Sequence, residues 1–131
     1  MDKPRILVVD DNPDITETIR FNLELEGYEV ITAVNGWEAL GAFRAKKPDL
    51  IVLDVMLPKE NGYRVAQMIR VDERSGKRSK KTQIILLTAR NLSNDPEREK
   101  MFMDFSEADV MMYKPFDMEQ LIEKVRELLN I

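Results

Sequence analysis

The chain contains no cysteine and no histidine. The first absence excludes disulfides, thiol nucleophiles and Cys-based zinc sites, so a reducing, cytoplasmic setting is expected. The second excludes Ser-His-Asp catalysis and histidine-ligated metals. Glycine is scarce, at 5 residues in 131, and 44% of residues are apolar, which argues against wholesale disorder. No apolar run reaches the length of a membrane span. The opening MDKPRILVVDD lacks a basic n-region, and its apolar run is too short for a signal peptide. Positive charge is also in deficit. A net charge of −4 gives no general attraction to nucleic acid or to anionic lipid. No Gly-rich turn follows the first apolar run, which excludes a dinucleotide-binding fold.

What is present alternates. Apolar, β-branched-rich runs at Arg5–Val9, Tyr28–Ala33, Leu50–Leu53, Gln83–Leu87 and Val110–Tyr113 read as strands. Helical patterns lie between them. The first starts at Asn12-Pro13, a good cap followed by proline at the first helical position, carries Ile15, Ile19 and Leu23 inward, and should end at Gly27. The second follows Gly36 with Ala39, Leu40 and Phe43 inward. A third spans about Asn61–Asp72, a fourth about Asp95–Phe105 and a fifth about Asp117–Asn130. Five such β–α units imply one α/β domain over residues 1–131: a doubly wound, five-stranded parallel sheet with helices on both faces.

In an open sheet of this kind ligands sit beyond the carboxyl ends of the strands. Asp10 and Asp11 end the first strand, Asp54 the third, Thr88 the fourth and Lys114 the fifth, so all of them fall on one edge. Three carboxylates gathered there repel by about 4 kcal/mol per pair at about 4 Å and an effective dielectric near 20. A cation must sit among them, and a divalent metal beside a reactive carboxylate is expected. Taken singly, each residue has a blander reading: an aspartate can cap a helix or fill a turn, a threonine can bond its own backbone, and a lysine is often a solvated charge. Their convergence argues against those readings.

The motifs ILVVDDNP (6–13), LIVLDVMLPKENG (50–62), IILLTAR (84–90) and YKPF (113–116) occur in the order and spacing of the response-regulator receiver domain, which this chain resembles over about residues 4–131. The resemblance implies a flavodoxin-like strand order of 2-1-3-4-5, which sets Asp54 against Asp10 and Asp11. It implies that Asp54 accepts a phosphoryl group from a phosphohistidine of a sensor kinase or phosphotransfer protein. It implies Mg2+ held by Asp10, Asp11, Asp54 and the backbone carbonyl of Met56. Lys114 would contact one phosphoryl oxygen, and Thr88 and the backbone amide of Ala89 the others. Pro115 follows that lysine, and the Lys–Pro bond is cis in many receivers. Asn12 is assigned to capping first and site contacts second. The domain would not be an enzyme beyond slow self-dephosphorylation. Its output would be a population shift on the face of helix four, strand five and helix five, which controls partner binding or dimerisation. The alternatives are an interaction module that no longer uses phosphate, or the receiver part of a larger regulator with a DNA-binding or enzymatic effector. An aspartate-nucleophile phosphatase would need Asp-x-Asp where this chain has Asp10-Asp11-Asn12.

Three features depart from the family pattern. The strand-five position that is usually aromatic is Met111, with Tyr113 two residues on along the same strand face. Coupling from Thr88 would then use Met111 packing, unless Met111 is simply core. The basic run RSGKRSKK (Arg74–Lys81) lengthens the segment before strand four; it reads as a solvated loop or, second, as a docking patch for an acidic partner. The segment from Thr88 to Lys114 is also long. Extra residues are expected in Arg90–Lys100, where Arg90 would influence phosphoryl lifetime, and Ser106-Glu107 replaces the glycine common before strand five. Five of the 8 methionines lie between Met101 and Met118, as adaptable core filling or as part of an interface.

Overall fold

The computed structural model describes residues 3–76, 81–89 and 94–131. Its elements run β1 (Arg5–Val9), α1 (Pro13–Leu25), β2 (Glu29–Ala33), α2 (Gly36–Lys46), β3 (Leu50–Asp54), β4 (Met56–Leu57), β5 (Glu60–Asn61), α3 (Gly62–Ser75), β6 (Gln83–Ala89), α4 (Pro96–Ser106), β7 (Val110–Lys114) and α5 (Met118–Leu129). The five-stranded sheet has the order β2-β1-β3-β6-β7, and every pairing in it is parallel. This is the expected 2-1-3-4-5 order once the two-residue strands β4 and β5, a separate antiparallel ribbon, are set aside. Register carries the site: Val9 pairs with Leu53, Asp54 with Leu87 and Ala89 with Lys114, so the chemically distinctive residues share one edge.

Strand alternation divides the interior into two cores. Leu7, Val9, Ile51, Leu53, Ile84 and Leu86 face Phe43 of α2 and Ile69 of α3. Ile6, Val8, Leu50, Val52, Ile85 and Leu87 face Ile19 and Leu23 of α1 and Leu121 and Val125 of α5. A sheet covered on both faces needs continuous rather than alternating apolar runs, and the chain has them. Side-chain caps start α1, α2, α3 and α4. Asn12, Asn35, Asn61 and Asp95 each accept a hydrogen bond from a first-turn backbone N–H, at 2.8–3.1 Å. Gly27 follows α1 with φ at 95°, as its place after that helix predicts.

Element boundaries move in informative ways. Helix α3 continues past Asp72 to Ser75 because its last turn is held from outside the helix. The Arg70 side chain, 2% exposed, donates to Glu73, to Asp109 and to the carbonyls of Thr82 and Glu107. Arg74 pairs with Glu107 at 2.7 Å and Lys81 with Asp109 at 3.0 Å. The two ends of the basic run therefore face acids of their own chain, while 77–80 lie outside the described residues. So does Arg90. Glu107 stands in the left-handed region at φ 59°, where the family's glycine would be easier, and its pairing with Arg74 and Arg70 offsets that strain.

Candidate functional site

Strands β1, β3 and β7 bring their last residues or immediate successors to a common notch. Carboxylate oxygens of Asp10, Asp11 and Asp54 lie within 4.8 Å of one another. Asp10 and Asp54 are each 2% exposed, whereas Asp11 is open to solvent. The amine of Lys114 reaches across the sheet to Asp54 Oδ1 at 3.0 Å and to Asp10 Oδ2 at 3.7 Å. The Lys114–Pro115 peptide is cis, as expected.

Backbone donors fix the two buried acids. Asp10 Oδ1 accepts from the Asn12 N–H at 2.9 Å, so Asn12 both caps α1 and orients the site. Asp54 Oδ1 accepts from the Met56 N–H at 3.1 Å, which ties the β3–β4 turn to the carboxylate it presents. Gly62 brings the start of α3 close behind: a Cβ there would lie 2.6 Å from the Asp54 carbonyl oxygen and closer still to the Cα of Val55. Any larger residue would push on the strand end that carries Asp54.

The charges do not balance. Three carboxylates face one ammonium, and Asp10 Oδ2 is buried without a hydrogen-bond partner among the described residues. Burial pushes the Asp10 carboxyl above its ordinary range. The neighbouring Asp54 and Asp11 charges push the same way, while the Asn12 N–H and Lys114 pull it back. A buried oxygen without a hydrogen bond, beside two more carboxylates, is part of a hard-oxygen donor set suited to a small divalent cation.

Thr88 lies one position beyond Leu87, the β6 partner of Asp54, and is 4% exposed. Its hydroxyl shares a hydrogen bond of 3.1 Å with the hydroxyl of Tyr63, a residue the sequence reading did not single out. The only local signal was a large aromatic directly after Gly62. Ala89 closes β6 at the exposed rim, opposite Lys114. Met56 shows a solvent-facing side chain, 68% exposed. Met111 packs against the core shared by α2 and α3, in agreement with its plainer reading. Tyr113 turns its hydroxyl to the Glu99 carboxylate of α4.

Comparison with known proteins gives a consistent set of likenesses. The profile of the response regulator receiver domain matches residues 6–126. The chain is 40% identical over 127 residues to the DNA-binding dual master transcriptional regulator RpaA of Synechocystis, covering 97% of this chain and 49% of that protein. It is 41% identical over 126 residues to the alkaline phosphatase synthesis transcriptional regulatory protein PhoP of Bacillus subtilis, covering 96% of this chain and 48% of that protein. The chain thus spans about half the length of the curated relatives it matches. Among solved structures, the receiver domain of the Francisella response regulator 1452 superposes with a TM-score of 0.83 at 28% identity, covering 98% of each chain. The response regulator TrrA of Thermotoga maritima, solved in complex with Mg2+ and beryllium fluoride, superposes at 0.77 with 39% identity, covering 95% of this chain and 98% of that one. Among the described residues, no helix is long and apolar enough to cross a membrane.

Proposed function

The chain belongs to the response regulator receiver domain family, and we propose that Asp54 is its phosphoacceptor, loaded from a phosphohistidine of a sensor kinase or phosphotransfer protein in a Mg2+-dependent reaction. The observation that carries this reading is the buried Asp10 Oδ2, which lacks a hydrogen-bond partner among the described residues, beside Asp11 and Asp54. It supports a site built for a cation next to a nucleophile. Asp10, Asp11, Asp54 and the Met56 carbonyl would hold the ion. When bound, Mg2+ supplies positive charge that offsets the carboxylates and the incoming phosphoryl oxygens.

The remaining work falls to this chain's own groups. Lys114 and the Met56 N–H both engage Asp54 Oδ1, and we assign Oδ2 as the attacking oxygen. Its lone pair forms the new P–O bond as the P–N bond to the donor imidazole breaks. The leaving nitrogen keeps the bonding pair and takes up a proton. Little covalent help is required, because phosphoryl transfer depends chiefly on alignment and on neutralising charge. Lys114 then holds one phosphoryl oxygen as a compact cation, and the Thr88 hydroxyl and Ala89 N–H serve the others. The product adds negative charge and three acceptor oxygens at the sheet edge. That charge shifts the population of the α4–β7–α5 face, through which the domain would bind its target or a second copy.

A second reading concerns the whole protein. Because relatives described as transcriptional regulators are about twice as long as the matched segment, these residues would serve as the regulatory half of a DNA-binding protein. The phosphoacceptor assignment is the same in either case. Incubation with acetyl phosphate and Mg2+ should add one phosphoryl group, mapped by peptide mass to Asp54, and none when the ion is chelated. Stoichiometric labelling of an Asp54→Ala protein would refute the assignment.

A further inference from the structure

Tyr63 is bonded to the one hydroxyl that the proposed phosphoryl group must recruit. Tyr63 sits in the first turn of α3, 7% exposed, and its hydroxyl meets Thr88 Oγ1 at 3.1 Å. Its ring stacks on Phe102 of α4 with centroids 4.4 Å apart and planes 8° from parallel. The Arg98 guanidinium lies 5.5 Å from the centre of the Phe102 ring. An unbroken chain of contacts therefore runs from the sheet edge beside Asp54 to the middle of α4. The strand position that the family usually fills with an aromatic is Met111, which has neither a ring to stack nor a hydroxyl to donate.

From this geometry we infer that Tyr63 is a positioning residue: it orients the Thr88 hydroxyl toward Asp54 and transmits its displacement to α4 through Phe102. The inference rests on the phosphoacceptor reading of Asp54. A threonine hydroxyl has one hydrogen and two lone pairs, and phosphoryl oxygens only accept. Once Thr88 donates to the phosphoryl group, its hydrogen is committed, and Tyr63 can remain its partner only as the donor. If Thr88 also shifts toward Asp54, the Tyr63 ring must follow or lose its bond. The ring is clamped face to face on Phe102, so following it displaces α4, and letting go leaves a buried hydroxyl that must find another partner. Both routes couple the site to the same helix.

The test uses the 131-residue chain with Mg2+ and beryllium fluoride as the phosphoryl stand-in, read by NMR. In the wild-type protein the Tyr63 Cζ signal, assigned by its loss in Tyr63→Phe, should move when the mimic is added. In Tyr63→Phe, which keeps the stacking ring, amide shifts around Asp54 should persist while those of α4 fall about twofold or more. The same variant should bind the mimic about fivefold more weakly, the loss expected for one neutral hydrogen bond. Phe102→Leu should reproduce the α4 loss while the Tyr63 Cζ signal still responds. A Tyr63 Cζ signal that stays fixed as the mimic fills the site would overturn the inference, and so would full-sized α4 shifts in Tyr63→Phe. Absence of any wild-type response around Asp54 would overturn the phosphoacceptor reading and this inference together, which keeps the two failures distinct.

Discussion

Asp10 concentrates the conflict between folding and function. Its carboxyl is buried, one of its oxygens lacks a hydrogen-bond partner among the described residues, and its pKa lies above the unfolded value of 3.8. Between the unfolded value and the raised folded one, the native state binds more protons than the unfolded chain, so this group's contribution to stability falls as pH rises. Above the folded value the full penalty applies. Without metal at neutral pH, Asp10→Asn should therefore be more stable than the wild type by about 1–2 kcal/mol, or about 3–8 °C in melting temperature. The gain should shrink as pH falls through the Asp10 titration. The same substitution should weaken Mg2+ binding, because it removes a charged ligand. A metal-free Asp10→Asn protein that melts below the wild type at neutral pH would contradict this account of the notch.

At the scale of elements, one junction decides whether the site is held. It is the start of α3, where only glycine leaves room beside the Asp54 carbonyl and the Val55 backbone. Gly62→Ala should cost about 2–4 kcal/mol through backbone displacement, since the obstructing atoms are main chain rather than flexible side chain. It should also impair labelling of Asp54, as measured by the initial rate with acetyl phosphate. Much of this level was legible in the sequence. Asn12-Pro13 and Gly27 framed α1, and the continuous apolar runs marked strands buried on both faces. The β4–β5 ribbon was not legible, because Met56–Asn61 carries turn residues with no periodicity. The extra turn of α3 was missed for a different reason: Arg70 finds Thr82, Glu107 and Asp109, which lie 12, 37 and 39 positions away. The Tyr63–Thr88 bond was hidden in the same way, as a pairing across 25 positions that only the fold creates.

Over the whole molecule the polar interior is sorted to opposite ends of the sheet. The carboxyl ends of the strands hold the acidic notch, and the amino ends hold the Arg70 network beside the starts of β6 and β7. The two should be separable. Arg70→Ala removes one donor each from Glu73, Asp109 and the carbonyls of Thr82 and Glu107, and it should cost about 3–5 kcal/mol. Below its lowered melting temperature, however, it should still take up Mg2+ like the wild type, by calorimetry. The four sequence motifs all fall at the carboxyl edge, so function was readable while the opposing foundation was not. Central to the account is that the notch of Asp10, Asp11 and Asp54 holds a divalent cation beside the nucleophile. Its most direct test is a calorimetric titration of the wild-type protein and Asp10→Asn with Mg2+ at neutral pH. The account predicts saturable uptake of one ion per chain by the wild type at millimolar concentrations, and much weaker uptake by the variant. No uptake by the wild type, or equal uptake by both proteins, would contradict it.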